Sequence, residues 1–283
     1  MCIDVRAIER RALASLPKPG DTPLKWIRRV TAKLQILTGD NSKLLKALDL
    51  IADEYGDRWI EHVDGIDVAL ALAPANVSGV IDVCAGASPG CRDACIYEAG
   101  NGRYPNVKAA RIERTKLFAH DRGEFAERIA HDVVLVATLA RALGVPANLR
   151  PNMLSDLPWE RIRLFSDGST LLDLCRAWGV RMYDYTKIAA RARQQPYPLT
   201  YSRSELTPDS LVAEMVAAGI NVAVPFATVP ESYLGLPVID GDKTDRRLSD
   251  PPGVIVGLKV KLPGAKDQTG FIVRSHPSLR MAA

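Results

Sequence analysis

Four histidines, His62, His120, His131 and His276, are the whole imidazole supply of this chain, and none has obvious ligand spacing to another. That leaves out His-Glu-x-x-His hydrolases and histidine-rich metal sites. There is no Walker loop, no dinucleotide-binding glycine fingerprint and no nucleophile-elbow serine, so the standard phosphate-loop, nicotinamide and serine-hydrolase signatures are missing too. No apolar run approaches the roughly 20 residues needed to span a bilayer. The opening Met-Cys-Ile-Asp-Val-Arg lacks the basic-then-apolar order of a secretion signal, and a cytoplasmic location is the expectation. Internal repeats and low-complexity tracts are absent, and a net charge of +4 permits an anionic ligand without requiring one.

What is present is ordinary in bulk and unusual in one place. With 283 residues, 47% hydrophobic and 25% charged, the chain has the composition of a globular protein with a large core. Of its five cysteines, three fall within twelve residues, Cys84, Cys91 and Cys95 in Cys-Ala-Gly-Ala-Ser-Pro-Gly-Cys-Arg-Asp-Ala-Cys. In a reducing compartment such a trio reads as ligands, nucleophiles or core thiols rather than disulfides. Gly86, Pro89 and Gly90 mark a tight loop, and Cys91 and Cys95 stand one helical turn apart. Three thiolates suit a [4Fe–4S] cluster with one iron left open, or zinc with a fourth ligand from elsewhere. Buried, inert thiols are the plainer alternative. Cys2 and Cys175 look like background.

Hydrophobic rhythm divides the chain. Leu24, Ile27, Val30, Leu34 and Leu37 recur at helical spacing, and Lys43 to Tyr55 repeats the pattern, which predicts an N-terminal helical layer over residues 1–60. From 61 to 283 short apolar strands alternate with amphipathic helices. Strands are expected at 66–72, 80–83, 147–153, 180–184, 199–202, 220–226, 237–240 and 254–258, with helices at 107–120, 124–143, 170–178 and 208–218. That alternation predicts an α/β domain built as an open or closed parallel (β/α) barrel.

Polar residues follow the apolar runs, where the carboxyl ends of parallel strands build sites. Asp156, Glu205 and Asp240 are the candidate catalytic acids; Asn152, Asp184, Lys187 and Arg203 are candidates for holding a cofactor or anion; Cys84, Cys91 and Cys95 are the candidate metal ligands. Plainer roles stand beside these. Asp156 fits the N-cap of a short helix at Pro158, Arg203 and Lys187 fit internal salt bridges, and the acid-rich run Asp240–Asp250 reads best as a solvated loop. Lys108, Arg111 and Arg114 share a helix face that fits a phosphate backbone or plain solvent. His120–Asp121 and His131–Asp132 read as surface pairs.

Three cysteines after an early strand, followed by Tyr97, resemble radical S-adenosylmethionine enzymes in logic, though with different spacing. The runs Cys84–Gly100, Arg111–Phe118, Asn152–Glu160, Tyr183–Lys187 and Val238–Asp242 resemble a family of uncharacterised bacteriophage proteins from about residue 65 onward. The bacteriophage resemblance implies phage context without a reaction; together with the cysteine trio, the expectation is a phage-encoded iron–sulfur enzyme in the host cytoplasm, with a [4Fe–4S] cluster, with or without S-adenosylmethionine, and a nucleotide-like or nucleic-acid substrate. A zinc-stabilised nucleic-acid-binding or replication accessory protein is the alternative expectation, and a DNA or RNA base-exchange transglycosylase using Asp156 or Asp240 is a further one.

Overall fold

A computed structural model describes residues 3–38 and 53–274. Two helices begin the chain, α1 (Val5–Leu13) and α2 (Pro23–Thr31), each capped by the side chain before it, Asp4 and Thr22. The second stops earlier than its apolar spacing suggests. The Asp132 carboxylate accepts the amides of Gln35, Ile36 and Leu37 at 2.8 Å, drawing them out of helical geometry into β1 (Leu37–Thr38). Most of the helix expected over Lys43–Tyr55, like Cys2 and His276, lies outside the described residues.

The remaining elements follow as β2 (Ile66–Leu70), α3 (Pro89–Asp93), α4 (Pro105–His120), α5 (Arg122–Leu143), β3 (Ala147–Arg150), α6 (Leu171–Trp178), β4 (Val180–Met182), β5 (Asp184–Thr186), α7 (Ala189–Gln194), β6 (Leu199–Ser202), α8 (Asp209–Ala217), β7 (Val222–Phe226), β8 (Ser232–Tyr233), β9 (Leu236–Asp240) and β10 (Ile255–Lys259). One sheet runs β1-β2-β3-β4 and the other β5-β6-β7-β10-β9-β8. Every pairing is parallel except the outermost ones, β1 with β2 and β8 with β9.

Tyr183 joins the two sheets. Its amide still donates to Leu149 of β3, while the next amide, of Asp184, donates to Pro198 ahead of β6. The chain therefore passes directly from one ladder into the other. The ladders do not close into a barrel among the described residues; instead Arg246, in the segment after β9, forms ion pairs with Asp64 and Asp67 at the start of β2. The expected strand at Val80–Val83 is a loop. Val80 is exposed and Val83 bonds back to Ala75, so the run has no strand edge to lie against.

Alternation along the strands sorts the two faces. Ile66, Val68, Leu70, Ala147, Leu149, Val180 and Met182 pack into a core with α5 and with Ile8, Ala12, Trp26, Ile27 and Val30 of the first two helices. Almost every residue of α5 from Phe125 to Ala140 is buried, a wider band than its apolar stripe, because α1 covers the face that the sheet does not. Burying each of its large aliphatic side chains contributes roughly 1.5–3 kcal/mol. A smaller core under the second sheet holds Val212, Met215, Val222, Val224, Phe226 and Ile255. No described helix is long and apolar enough to cross a membrane.

Candidate functional site

A cavity of about 590 Å³ opens at the carboxyl ends of the strands, with α3 forming part of its wall. Loops after β2 and β3, the ends of β5, β6 and β10, and a C-terminal segment at Phe271–Ile272 form its walls. Its size falls within the usual range for small-molecule sites. Cys84, Cys91 and Cys95 all line it. Cys175, the fourth described cysteine, is buried in the main core.

The cysteine wall is built from both ends of the chain. Ser88 caps α3 by accepting the Cys91 amide at 3.2 Å, and Pro89 occupies the first helical position. Glu205, from the loop after β6, accepts the Ser88 hydroxyl at 2.6 Å and the Gly90 amide at 2.8 Å. Burial opposes ionisation of Glu205, and these two donors overcome it, holding the carboxyl below its ordinary range. Glu205 is thus an anchor for the cysteine loop, where the sequence suggested a catalytic acid. Gly90 has no room for a side chain, since a Cβ there would come within 2.7 Å of the Phe271 Cβ.

Burial raises the pKa of all three thiols, Cys84 to about 11. Cys84 Sγ accepts the Ala75 amide at 3.1 Å and faces the Leu154 carbonyl. Charge on Cys91 or Cys95 would raise Cys84 further, and Lys187 counteracts the rise at Cys91. The three share the cavity wall without converging. Among the described residues no three His, Cys, Asp or Glu side chains stand close enough to hold a single metal ion.

Lys187 lies beside this wall. Its ammonium donates to Ser202 Oγ at 3.0 Å and to the Arg203 carbonyl at 3.3 Å, and it sits 4.9 Å from the Phe271 ring centre. Burial lowers its pKa, while Cys91, Asp156 and Glu205 pull it back up. Asp156 also lines the cavity, but it caps no helix. It accepts the Lys187 amide at 2.8 Å and Thr186 Oγ1 at 3.2 Å, and pairs at 3.0 Å with Arg191, which also grips Glu160 and Tyr197. Burial nonetheless pushes its pKa upward.

Other sequence candidates have structural work. Asn152 Oδ1 accepts from Ser155, Leu157 and Trp159, folding the loop after β3 over the buried Trp159 ring. Asp184 is wholly buried, accepts the amides of Asn152 and Tyr185 at 2.9 Å, and is raised to about 7 by desolvation. Arg203 holds the C-terminal segment through the carbonyls of Gly270 and Phe271. Asp240 is exposed, caps its own turn by accepting the Asp242 amide, and is not among the cavity's lining residues. Among the basic residues of α4, Arg111 is buried over the Tyr97 ring and Arg114 donates to the Ala71 carbonyl, so that face is turned inward rather than offered to a phosphate backbone. His131 and Asp132 are buried together and not a surface pair; no described histidine lines the cavity.

Arg150, Asp245, Lys259 and Lys261 line the cavity unforeseen. Alternation in Ala147-Asn-Leu-Arg150 carried the signal for Arg150, since Ala147 and Leu149 face the helices and the residues between them do not.

Residues 35–275 match the family model described as Gene product 88, and the chain belongs to that family, a phage-type one in keeping with the bacteriophage resemblance. No curated protein and no solved structure matches it.

Proposed function

We propose that the cavity is the active site of an iron–sulfur enzyme acting on a nucleotide-like substrate, with Cys84, Cys91 and Cys95 as the cluster ligands. One observation carries the reading: the three cysteines that are close in sequence line one cavity at the strand ends, while the fourth described cysteine is sealed in aliphatic core. The donor set is all sulfur, the chemistry that iron–sulfur clusters select. Zinc at about 2.3 Å from each sulfur needs ligands roughly 3.8 Å apart, a convergence not found among the described residues. A cluster is a larger guest and spreads its ligands further. A cavity at the carboxyl ends of parallel strands suits such a site, as in parallel α/β enzymes generally.

Cys84, Cys91 and Cys95 would hold a [4Fe–4S] cluster, which would supply electrons to a substrate or to a cosubstrate such as S-adenosylmethionine. The chain's own residues prepare that role. Because burial keeps the thiols protonated, loading must release their protons, and the Lys187 ammonium beside Cys91 offsets the negative charge that results. Lys187 keeps its proton at Nζ through Ser202 and the Arg203 carbonyl. Glu205 fixes the turn that carries Cys91, and Phe271 and Ile272 keep water from that wall.

Protein isolated without oxygen is expected to be brown, with broad absorbance near 400 nm and bound iron and sulfide. Cys84→Ser, Cys91→Ser and Cys95→Ser each lose that absorbance. Colourless protein with stoichiometric zinc would sink the proposal.

A further inference from the structure

Arg150 ends β3 inside the cavity, about five-sixths buried, and its guanidinium makes no hydrogen bond among the described residues. Its Nε is enclosed without a partner. Asp184 pairs with it at 3.8 Å, beyond hydrogen-bond reach, and already gives each oxygen to a backbone amide, Oδ2 to Asn152 and Oδ1 to Tyr185; Asp245, also on the cavity wall, acts on it from further away. The guanidinium plane lies 4.6 Å from the centre of the Tyr185 ring, and this stacking fixes the fork's orientation. Of the other cavity cations, Arg92 pairs with Asp82, Lys261 with Asp242 and Lys187 with Ser202, while Lys259 stands exposed at the rim. An arginine this enclosed normally has its five donors answered, so a missing acceptor is the physical anomaly that needs an occupant.

We propose that Arg150, stacked on Tyr185, is the seat for the phosphate of a mononucleotide-sized substrate. A planar guanidinium matches two phosphate oxygens at once, which a lysine cannot do. The volume admits a nucleoside attached to that phosphate, and the apolar side chains of Leu154 and Ile272 offer surface for its base. The inference deepens the active-site reading and rests on it for the identity of the cavity, but not on the cluster being bound.

The test is titration of the full chain, in both cluster-free and anoxically isolated forms, with inorganic phosphate and with mononucleotides against their nucleosides, by calorimetry. Mononucleotides are expected to bind at least tenfold tighter than nucleosides in both forms, and Arg150→Lys to erase that preference by about tenfold or more while Lys261→Ala changes it less than threefold. A far-ultraviolet spectrum and melting curve establish that Arg150→Lys is folded; if it is not, Tyr185→Leu, which removes the stacking face alone, is expected to weaken the same preference. Equal binding of nucleoside and nucleotide overturns the seat even in brown protein. Phosphate-dependent binding that survives Arg150→Lys, or that falls as far in Lys261→Ala, also overturns it. Colourless protein that retains the Arg150-dependent preference keeps the seat and removes the cluster.

Discussion

The inward faces of the same strands are polar at both ends, and the two ends differ in one respect. At the amino ends, Asp67 accepts from Asn148 and from Arg246, Asn148 accepts from Arg181, and Arg246 reaches Asp64 as well. Donors and acceptors there answer one another across three strands. At the carboxyl ends, Arg150 has no hydrogen bond among the described residues and three thiols line a cavity unbridged. A closed polar lattice holds the strands in place; an unanswered one is left for a ligand. The difference teaches where to look for function in a polar interior: polarity alone does not mark a site, and unspent donors do.

The sharpest way to break this comparison is Arg246→Ala. It removes the charged partner of the half-buried Asp67 from the lattice that spans the open side of the strands, leaving it only Asn148, and about 3 kcal/mol of unfolding free energy is expected to disappear in urea titrations, with absorbance near 400 nm retained by whatever protein folds. A change below 1 kcal/mol would show that the amino-end lattice is not structural. The second test pairs two cysteines. Cys175→Ser places a hydroxyl in the dry core and is expected to cost about 2 kcal/mol while leaving the colour intact; Cys84→Ser is expected to cost less than 1 kcal/mol and to abolish the colour. Equal behaviour of the two would erase the distinction between core and cavity.

A third prediction concerns pH. Asp184 is raised to about 7 by burial, so the folded chain binds its proton more tightly than the unfolded chain, whose carboxyl titrates near 4. Between pH 4 and 7 this group makes stability fall as pH rises, by at most about 1.4 kcal/mol per pH unit. Asp184→Asn should flatten the urea-midpoint profile relative to the unaltered chain in that window; an unchanged slope would contradict it. The smallest effect is expected at Asp240→Asn, on the exposed turn outside the cavity, where stability should move by less than about 0.5 kcal/mol and cluster content not at all.

Most elements were legible in the sequence because their periodicity and caps agree. The long helix closed by Gly144 and the strands at 199–202, 222–226 and 255–259 follow directly from apolar spacing. Errors arose where a distant partner overrode local pattern. Gln35–Leu37 left the helix for the carboxylate of Asp132, nearly a hundred residues away, and Val80–Val83 had strand composition without a neighbouring edge. The site was half legible. Cys84, Cys91, Cys95, Asn152, Asp156 and Lys187 line one cavity, with the Asn152 side-chain carbonyl bonded inside its own loop, while Glu205, Asp184 and Arg203 lie outside the lining and are spent on backbone groups, a use that no spacing rule reveals. Arg150 looked like a strand residue until its strand partners showed which way it faced.

Gly90 sets a limit on timing. The turn that presents Cys91 can settle only against Phe271, Thr269 and Glu205, residues synthesised long after the cysteines themselves have left the ribosome. A nascent chain therefore carries its three thiols without their far wall through most of translation. For the cluster proposed above, loading would belong after release, when the finished chain can close around what it receives.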